Sequence, residues 1–358
     1  MLSYSRMIHT SNNGSFIDQR YRRGIYLLFL LFLLYSLYTF FGGDDSRYEF
    51  FVTEDYLDTS KDFKGIEPLY VTIASITGGH FLLWKLIVYG ASLLLTFIVL
   101  RRTGSLNYTA LCAFTVSALA SYGSTRGVLA YSAFLLAIVL LGEETIMHKL
   151  VGAVLAVLSI SAHSSMILPV FLIPLVFFRV KKGHVILLFL ALPLVIFLFN
   201  KFYPLLFSNA DLMNMQSGYK LGVYTENADT AGTTGFGSST LMNIHLILDY
   251  FSIILVLFYA FKADIKHELP RSISYITRVS FYIFYVAVVV WLSDMPNGLF
   301  ISTRYTTMIP FLMFITWPFI LFNRRVFTPT SKRIFLFISI ANAVFLFMMM
   351  TFYSYRGR

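Results

Sequence analysis

The chain has little charge for its size. Of its 358 residues 13% are charged and 57% are hydrophobic, whereas a soluble domain carries about 25% charged residues because its surface faces water. The mean hydropathy of +0.72 agrees with this shortage. The composition therefore excludes an ordinary soluble protein, and it predicts a chain whose surface faces lipid.

Cysteine and the common nucleotide and metal motifs are also scarce. The one cysteine, Cys112, lies in an apolar run, which excludes a disulfide framework and a thiolate metal site. The sequence holds no GxxxxGK[ST] phosphate loop, no GxGxxG after a strand, no HExxH helix and no GxSxG elbow. These absences leave a nucleotide-driven reaction unsupported, and we expect neither a cofactor nor a metal.

The net charge of +10 does not indicate nucleic acid, because the basic residues cluster at the ends of apolar runs. The clusters are Arg20, Arg22 and Arg23; Arg101 and Arg102; Arg179, Lys181 and Lys182; Arg324 and Arg325; Lys332 and Arg333. Loops that stay in the cytoplasm carry such an excess of Lys and Arg. The pattern predicts a membrane protein with no nucleic-acid partner.

What the sequence does have is long apolar runs, beginning with Ile25 to Phe41. A span needs about 20 residues, and its backbone must be hydrogen-bonded internally, which favours helices. We predict an all-α polytopic protein of about eleven spans (ten to twelve), with one helical domain over residues 25–353 and tails at 1–24 and 354–358. The first run lacks a cleavage site and is expected to be a retained anchor.

Apolar length and the Lys and Arg positions give the order of the spans. The predicted spans are 25–41, 81–100, 106–122, 127–141, 150–162, 164–178, 185–200, 241–261, 279–291, 305–322 and 334–352. External loops are expected at 42–67 and 201–240, and a short re-entrant or interfacial helix at 68–80. Lys85 is expected to extend to the membrane surface, Glu143, Glu144 and His148 to lie in a cytoplasmic turn, and Arg271 and Arg278 in a cytoplasmic loop.

Eight of the eighteen acidic residues fall in the first external loop. They are Asp44, Asp45, Glu49, Glu54, Asp55, Asp58, Asp62 and Glu67. For most of them solvation of an exposed loop is a sufficient explanation.

Three other residues are not explained by membrane insertion. Arg126, His163 and Arg304 fall in three predicted turns on the same external face, where positive charge is disfavoured, and charge at membrane depth usually marks function. Each alone has an ordinary explanation, because arginine at a span end extends to headgroups and histidine packs in tight hairpins. Together they favour an anion site, since the guanidinium fork matches phosphate oxygens.

Short motifs around these residues resemble the EpsG family of Wzy-type membrane polymerases, which build capsule, exopolysaccharide or O-antigen. The motifs are Gly43-x-Asp45 with Tyr48 and Phe51; Glu67-Pro68; TRG-x-LA at 125–130; AHSS at 162–165; and STRY at 302–305. The resemblance covers roughly residues 25–322. Gly127 departs from it, because a glutamine is expected after the arginine.

The resemblance implies a GT-C-like fold and a metal-independent, inverting glycosyltransferase in the bacterial cytoplasmic membrane. Donor and acceptor would be oligosaccharides on undecaprenyl diphosphate, with membrane lipids and a chain-length regulator as further partners. By this resemblance, Arg126 and Arg304 would bind the diphosphate, and His163 would be the general base or would position the acceptor. Asp45, and then Asp44, would be the alternative base or would bind a sugar hydroxyl. Tyr305, Tyr48 and Tyr122 would contact substrate.

Two other functions stay open from the sequence. A transporter or flippase of lipid-linked sugars would need a polar path through the bilayer, and few charges fall within spans. A membrane O-acyltransferase would need a histidine with an acid partner, and no carboxylate stands next to His163 in the sequence.

Overall fold

The computed structural model describes residues 48–55, 66–104, 125–207, 240–294, 298–321, 328–338 and 340–341, with isolated helical positions at 27, 30 and 34. Over these ranges all regular structure is helical, and they contain no strand. The expected all-α membrane class is confirmed at this level. The predicted span at 106–122 and most of the predicted loop 201–240 lie outside the described residues.

Ten α-helices follow one another in the described ranges. They are α1 (Pro68–Thr77), α2 (Phe81–Arg102), α3 (Thr125–Leu141), α4 (Ile146–Ala162), α5 (Ile167–Val176), α6 (Lys182–Phe207), α7 (Thr240–Ile265), α8 (Arg271–Leu292), α9 (Gly298–Met313) and α10 (Trp317–Leu321). A π-helical turn, Phe51–Asp55, precedes α1, and 3-10 turns, Ser164–Met166 and Phe314–Thr316, precede α5 and α10. A last helical segment covers 329–338.

Three of these helices are long and apolar enough to cross a membrane: Phe81–Arg102, Lys182–Phe202 within α6, and Arg271–Leu292. Helix α1 has ten residues, about 15 Å at 1.5 Å per residue, or half of the hydrocarbon thickness. It begins with Pro68, whose missing N–H is not needed at a first helical position, and ends at Gly78, which has φ of 59°.

Charged side chains gather at one end of the bundle, which we call the basic end. Arg102 of α2 pairs with Glu143 in the α3–α4 turn at 2.7 Å, and His148 pairs with the same carboxylate. Glu144 lies 4.0 Å from Arg271, where α8 begins. Glu143 and Glu144 therefore lie in the α3–α4 turn, as predicted, whereas His148 belongs to the first turn of α4. Helices α3 and α8 run in opposite directions.

Two predictions about basic residues were wrong. Lys85 does not extend to the membrane surface: it is 1% exposed, and its ammonium lies 5.6 Å and 5.7 Å from the ring centroids of Phe81 and Tyr89. Arg271 and Arg278 belong to α8 rather than to a loop, because α8 begins directly after Pro270 and buries Ile273 and Ile276 between the two arginines. The predicted loop 201–240 also begins later, since α6 continues to Phe207.

Hydroxyl groups join α2 to α3 within the apolar core. Ser132 lies 2.7 Å from Ser92 and 3.1 Å from Thr96, oxygen to oxygen. Ser92 and Ser132 both donate to the carbonyl of Val128. Small polar residues of this kind hold membrane helices close to one another, and here they fix the position of α3 against α2.

A buried ion pair fixes α8 to its neighbours near the basic end. The Arg278 guanidinium donates to both Asp264 oxygens, at 2.8 Å and 3.1 Å, and its remaining nitrogen donates to the Val176 and Phe178 carbonyls. Those carbonyls lie at the end of α5, where a helix leaves such groups unsatisfied. One arginine thus joins α5, α7 and α8.

We expect Asp264→Ala to destabilise the protein by about 3–5 kcal/mol, because it leaves a buried guanidinium without its counter-charge. Thermal unfolding of the purified protein in detergent measures this change. Glu144→Ala is the matched control, because its carboxylate is 94% exposed beside Arg271 and should leave the unfolding temperature unchanged. Equal unfolding temperatures for the two variants would contradict the role given to Asp264.

Candidate functional site

The end of the bundle opposite the basic end carries a buried acid and histidine, and we call it the histidine end. His163 follows α4 as its C-cap, with an extended backbone (φ −156°, ψ 114°). Its N–H donates to the Ser159 carbonyl, and its own carbonyl accepts from the Met166 N–H. His163 is 6% exposed, so the chain reversal between α4 and α5 holds its imidazole inside the protein.

Glu67 is the acid partner of His163. The Glu67 Oε1 atom lies 3.3 Å from His163 Nδ1, and the Tyr48 hydroxyl donates to Oε2 of the same carboxylate at 3.3 Å. Glu67 is 1% exposed. No carboxylate stands next to His163 in the sequence, because its partner is 96 residues away. Glu67 is thus an exception to the expectation that most acids of the 42–67 segment are solvated.

Aromatic packing fixes Tyr48 in its place. Its ring stacks on Trp84 with a centroid distance of 5.1 Å, and lies edge-on to Tyr70 at 5.5 Å. The indole N–H of Trp84 donates to the Tyr70 carbonyl. Part of the predicted external loop 42–67 is therefore buried, since Tyr48, Phe51 and Val52 pack into the core.

Tyr131 of α3 lies between the histidine and α9. Its ring centroid is 6.5 Å from that of His163 and 5.8 Å from that of Phe311. A Cβ atom added to Gly127 would lie 2.8 Å from the Tyr131 ring, a distance shorter than real Cβ contacts show. Gly127, the departure from the expected glutamine, thus leaves the space that this tyrosine ring occupies.

The backbones of both predicted diphosphate-binding arginines lie at the histidine end. Arg126 belongs to the first turn of α3, next to Gly127. Arg304 belongs to α9, seven residues before Phe311, and a spacing of two turns puts both positions on one face of a helix. The side chains of Arg126 and Arg304 lie outside the described residues.

The start of α9 lies at the same end for a separate reason. Gly142 at the end of α3 lies against the Tyr275 ring near the start of α8, so the end of α8 is at the histidine end. There Asn200 of α6 exchanges two hydrogen bonds with Asp294, one from Nδ2 to Oδ2 at 2.9 Å and one from the Asp294 N–H at 3.0 Å. Helix α9 begins four residues later.

The other predicted contact residues are only partly described. Tyr305 is half-buried in α9, and Ser302 of the same motif has a buried hydroxyl with no hydrogen-bond partner in the described part of the chain. Asp44, Asp45 and Tyr122 lie outside the described residues.

The described residues also contain no group of three or more His, Cys, Asp or Glu side chains that could hold a metal ion.

These features define a helical membrane protein with a buried acid–histidine pair at one end of its bundle and a charged cluster at the other. The family model for the EpsG family matches residues 22–357. The chain therefore belongs to the EpsG family, whose members are Wzy-type polysaccharide polymerases. No curated protein and no solved structure matches the chain.

Sequence reasoning missed two residues of this site. Glu67 was noted as part of the Glu67-Pro68 motif, and that motif was the one signal of a role beyond solvation. Tyr131 lies one helical turn after Gly127, and the unexpected glycine was the available signal, because glycine in a helix often marks close approach.

We expect Gly127→Ala to reduce polymer synthesis, because the added methyl group must displace the Tyr131 ring that faces His163. Turnover by purified protein in detergent measures this effect. Gly142→Ala is the matched control, since its Cβ would lie 2.7 Å from the Tyr275 ring at the basic end. We expect both variants to lose similar stability and Gly127→Ala alone to lose turnover. A similar loss of turnover in both would separate Tyr131 from the site.

Proposed function

We propose that this protein joins oligosaccharide repeat units carried on undecaprenyl diphosphate, at the external face of the bacterial cytoplasmic membrane. It would be an inverting, metal-independent glycosyltransferase of about eleven spans with a GT-C-like fold. Family membership supports the general activity. The observation that carries the specific proposal is the common end of the bundle shared by His163, Arg126 and Arg304.

The reaction requires a leaving group with stabilised charge. When the glycosidic carbon of the donor is attacked, its bond to the diphosphate oxygen breaks, and the electron pair leaves with the lipid diphosphate. Arg126 and Arg304 would neutralise that charge, because preorganised donors aimed at developing charge lower the barrier, and the guanidinium group stays protonated at any ordinary pH.

The acceptor hydroxyl must lose a proton as it attacks. His163 would take that proton while the new carbon–oxygen bond forms, since imidazole exchanges protons near neutral pH. Attack from the side opposite the diphosphate inverts the anomeric carbon. Asp45 and Asp44 are the alternative bases, and Tyr305, Tyr48 and Tyr122 the proposed sugar contacts. Of the tyrosines, Tyr48 already donates its hydroxyl to Glu67.

The orientation of the protein is part of the proposal. The basic end would face the cytoplasm, because positive residues are retained there, and the histidine end would face outward, where undecaprenyl-linked repeats are displayed. Membrane lipids would surround the apolar helices, and a chain-length regulator would be a further partner. No nucleotide or other cofactor is required, since the lipid diphosphate is already an activated leaving group.

The acid partner of His163 also bears on the O-acyltransferase alternative, which requires a histidine with a carboxylate. Glu67 supplies that carboxylate, so the pair alone fits either reaction. Membership in the EpsG family favours the polymerase. The products differ, because an acyltransferase adds an acyl ester to a glycan without lengthening it.

We expect Arg126→Ala and Arg304→Ala each to abolish polymer while single lipid-linked repeats accumulate on the outer leaflet, because the leaving diphosphate loses its counter-charge. Extraction and sizing of lipid-linked oligosaccharides, with a periplasm-accessible glycosidase to assign the leaflet, measures both results. Arg179→Ala is the control, since that arginine is exposed near the basic end and should keep full polymer length. Accumulation on the inner leaflet would indicate a flippase instead.

We expect cysteine labelling to place the two ends on opposite sides of the membrane. In a Cys112→Ser background, an impermeant maleimide added to intact cells should label Asp294→Cys, which is exposed at the histidine end. Glu144→Cys should be labelled only after the cells are opened. The reverse pattern would place the site in the cytoplasm and rule out an external polymerase.

A further inference from the structure

We infer that Glu67 is a positioning residue for His163: its carboxylate fixes the imidazole tautomer and stabilises the imidazolium formed when His163 accepts the acceptor's proton. The inference rests on the proposed function, because it assumes that His163 is the base. Neither the family match nor the sequence motifs assign this role. It comes from the 3.3 Å contact between Glu67 Oε1 and His163 Nδ1 inside the protein.

The two oxygens of Glu67 have separate partners. The Tyr48 hydroxyl donates to Oε2, so the carboxylate acts there as an acceptor. An ionised carboxylate only accepts hydrogen bonds, so we assign Oε1 as the acceptor for the His163 Nδ1–H. An imidazole that carries its proton on Nδ1 has its basic lone pair on Nε2, and Nε2 is the atom that would take a proton from the acceptor hydroxyl.

The carboxylate cannot turn away from the histidine easily. Its backbone begins α1, where the Tyr70 N–H donates to the Glu67 carbonyl at 3.0 Å. The Tyr70 carbonyl in turn accepts from Trp84, whose ring stacks on Tyr48, and Tyr48 donates to Glu67 itself. This closed set of contacts fixes the carboxylate from both sides, as a preorganised site requires.

Glu67 has no competing task in its own helix. It occupies the N-cap position of α1, yet its side chain makes no capping hydrogen bond. Acidic residues at this position usually accept from the first N–H groups of the helix. Here the carboxylate points to His163 and Tyr48 instead, and both it and the imidazole are buried, with side-chain exposures of 1% and 7%.

Burial strengthens the stabilisation that the Glu67 carboxylate gives to a protonated His163. A carboxylate beside a histidine that gains a proton stabilises the cation most where water is excluded, because the local dielectric constant is low. The effect appears in the transition state and not in substrate binding, since Glu67 would not touch the sugar or the diphosphate. It should therefore change kcat and leave KM nearly unchanged.

The test is Glu67→Gln, which keeps the size of the side chain and removes its charge. Steady-state assays of purified full-length protein, with a lipid-linked repeat unit as donor and acceptor, should show kcat lowered on the order of 10²-fold with KM unchanged. In a His163→Gln background the same change should cause no further loss, because residues that act as one unit are not additive. Tyr48→Phe removes the hydroxyl that donates to Oε2 and keeps the ring, so it should lower kcat by less than about tenfold.

The outcomes are separable. Wild-type kcat in Glu67→Gln, or an independent loss added to that of His163→Gln, would overturn the inference while wild-type polymerisation still supported the proposed function. A wild-type protein that makes no polymer would overturn the proposed function itself. Should Glu67→Gln not accumulate in the membrane, Glu67→Asp takes its place. Its carboxylate is one methylene further from His163, so we expect kcat to fall with KM unchanged, and unchanged kcat would overturn the inference.

Discussion

The arrangement of the histidine end depends on a carboxylate that lies inside an apolar helical bundle. A buried charge is costly unless it is paired and hydrogen-bonded, so Glu67 requires partners from elsewhere in the chain. His163 and Tyr48 supply them. This requirement brings the start of α1, the end of α4 and the segment before the π-helical turn to one point. The same contacts aim Nδ1 of the imidazole at Glu67.

The two ends of the bundle satisfy their charges differently. At the basic end, Arg102 pairs with Glu143 in contact with solvent. The buried Arg278 donates to the Asp264 carboxylate and to two backbone carbonyls. Such closed pairs fix helices and leave little capacity for a ligand. At the histidine end, the buried Glu67 carboxylate contacts an imidazole and a phenol hydroxyl, which are side chains that can gain or lose a proton.

Prediction from sequence succeeded for the features that the lipid environment dictates, namely apolar surface and helical backbone. The shortage of charge and the long apolar runs predicted an all-helical membrane protein, and helices such as Phe81–Arg102 lie within two residues of their predicted bounds. Prediction from sequence failed for charged side chains that tertiary contacts bury. Lys85 and Arg278 were assigned to surfaces because a single sequence gives no indication of the rings around Lys85 or of Asp264 beside Arg278.

At the site, composition and charge sorting were enough to single out Arg126, His163 and Arg304, because lipid and positive-inside sorting disfavour them in external turns. The partnership of His163 with Glu67 and the position of the Tyr131 ring over Gly127 became visible only in the folded chain. The cause is distance along the chain. Hydropathy and charge act on each residue locally, whereas a hydrogen bond between residues 96 positions apart exists only once the helices have packed.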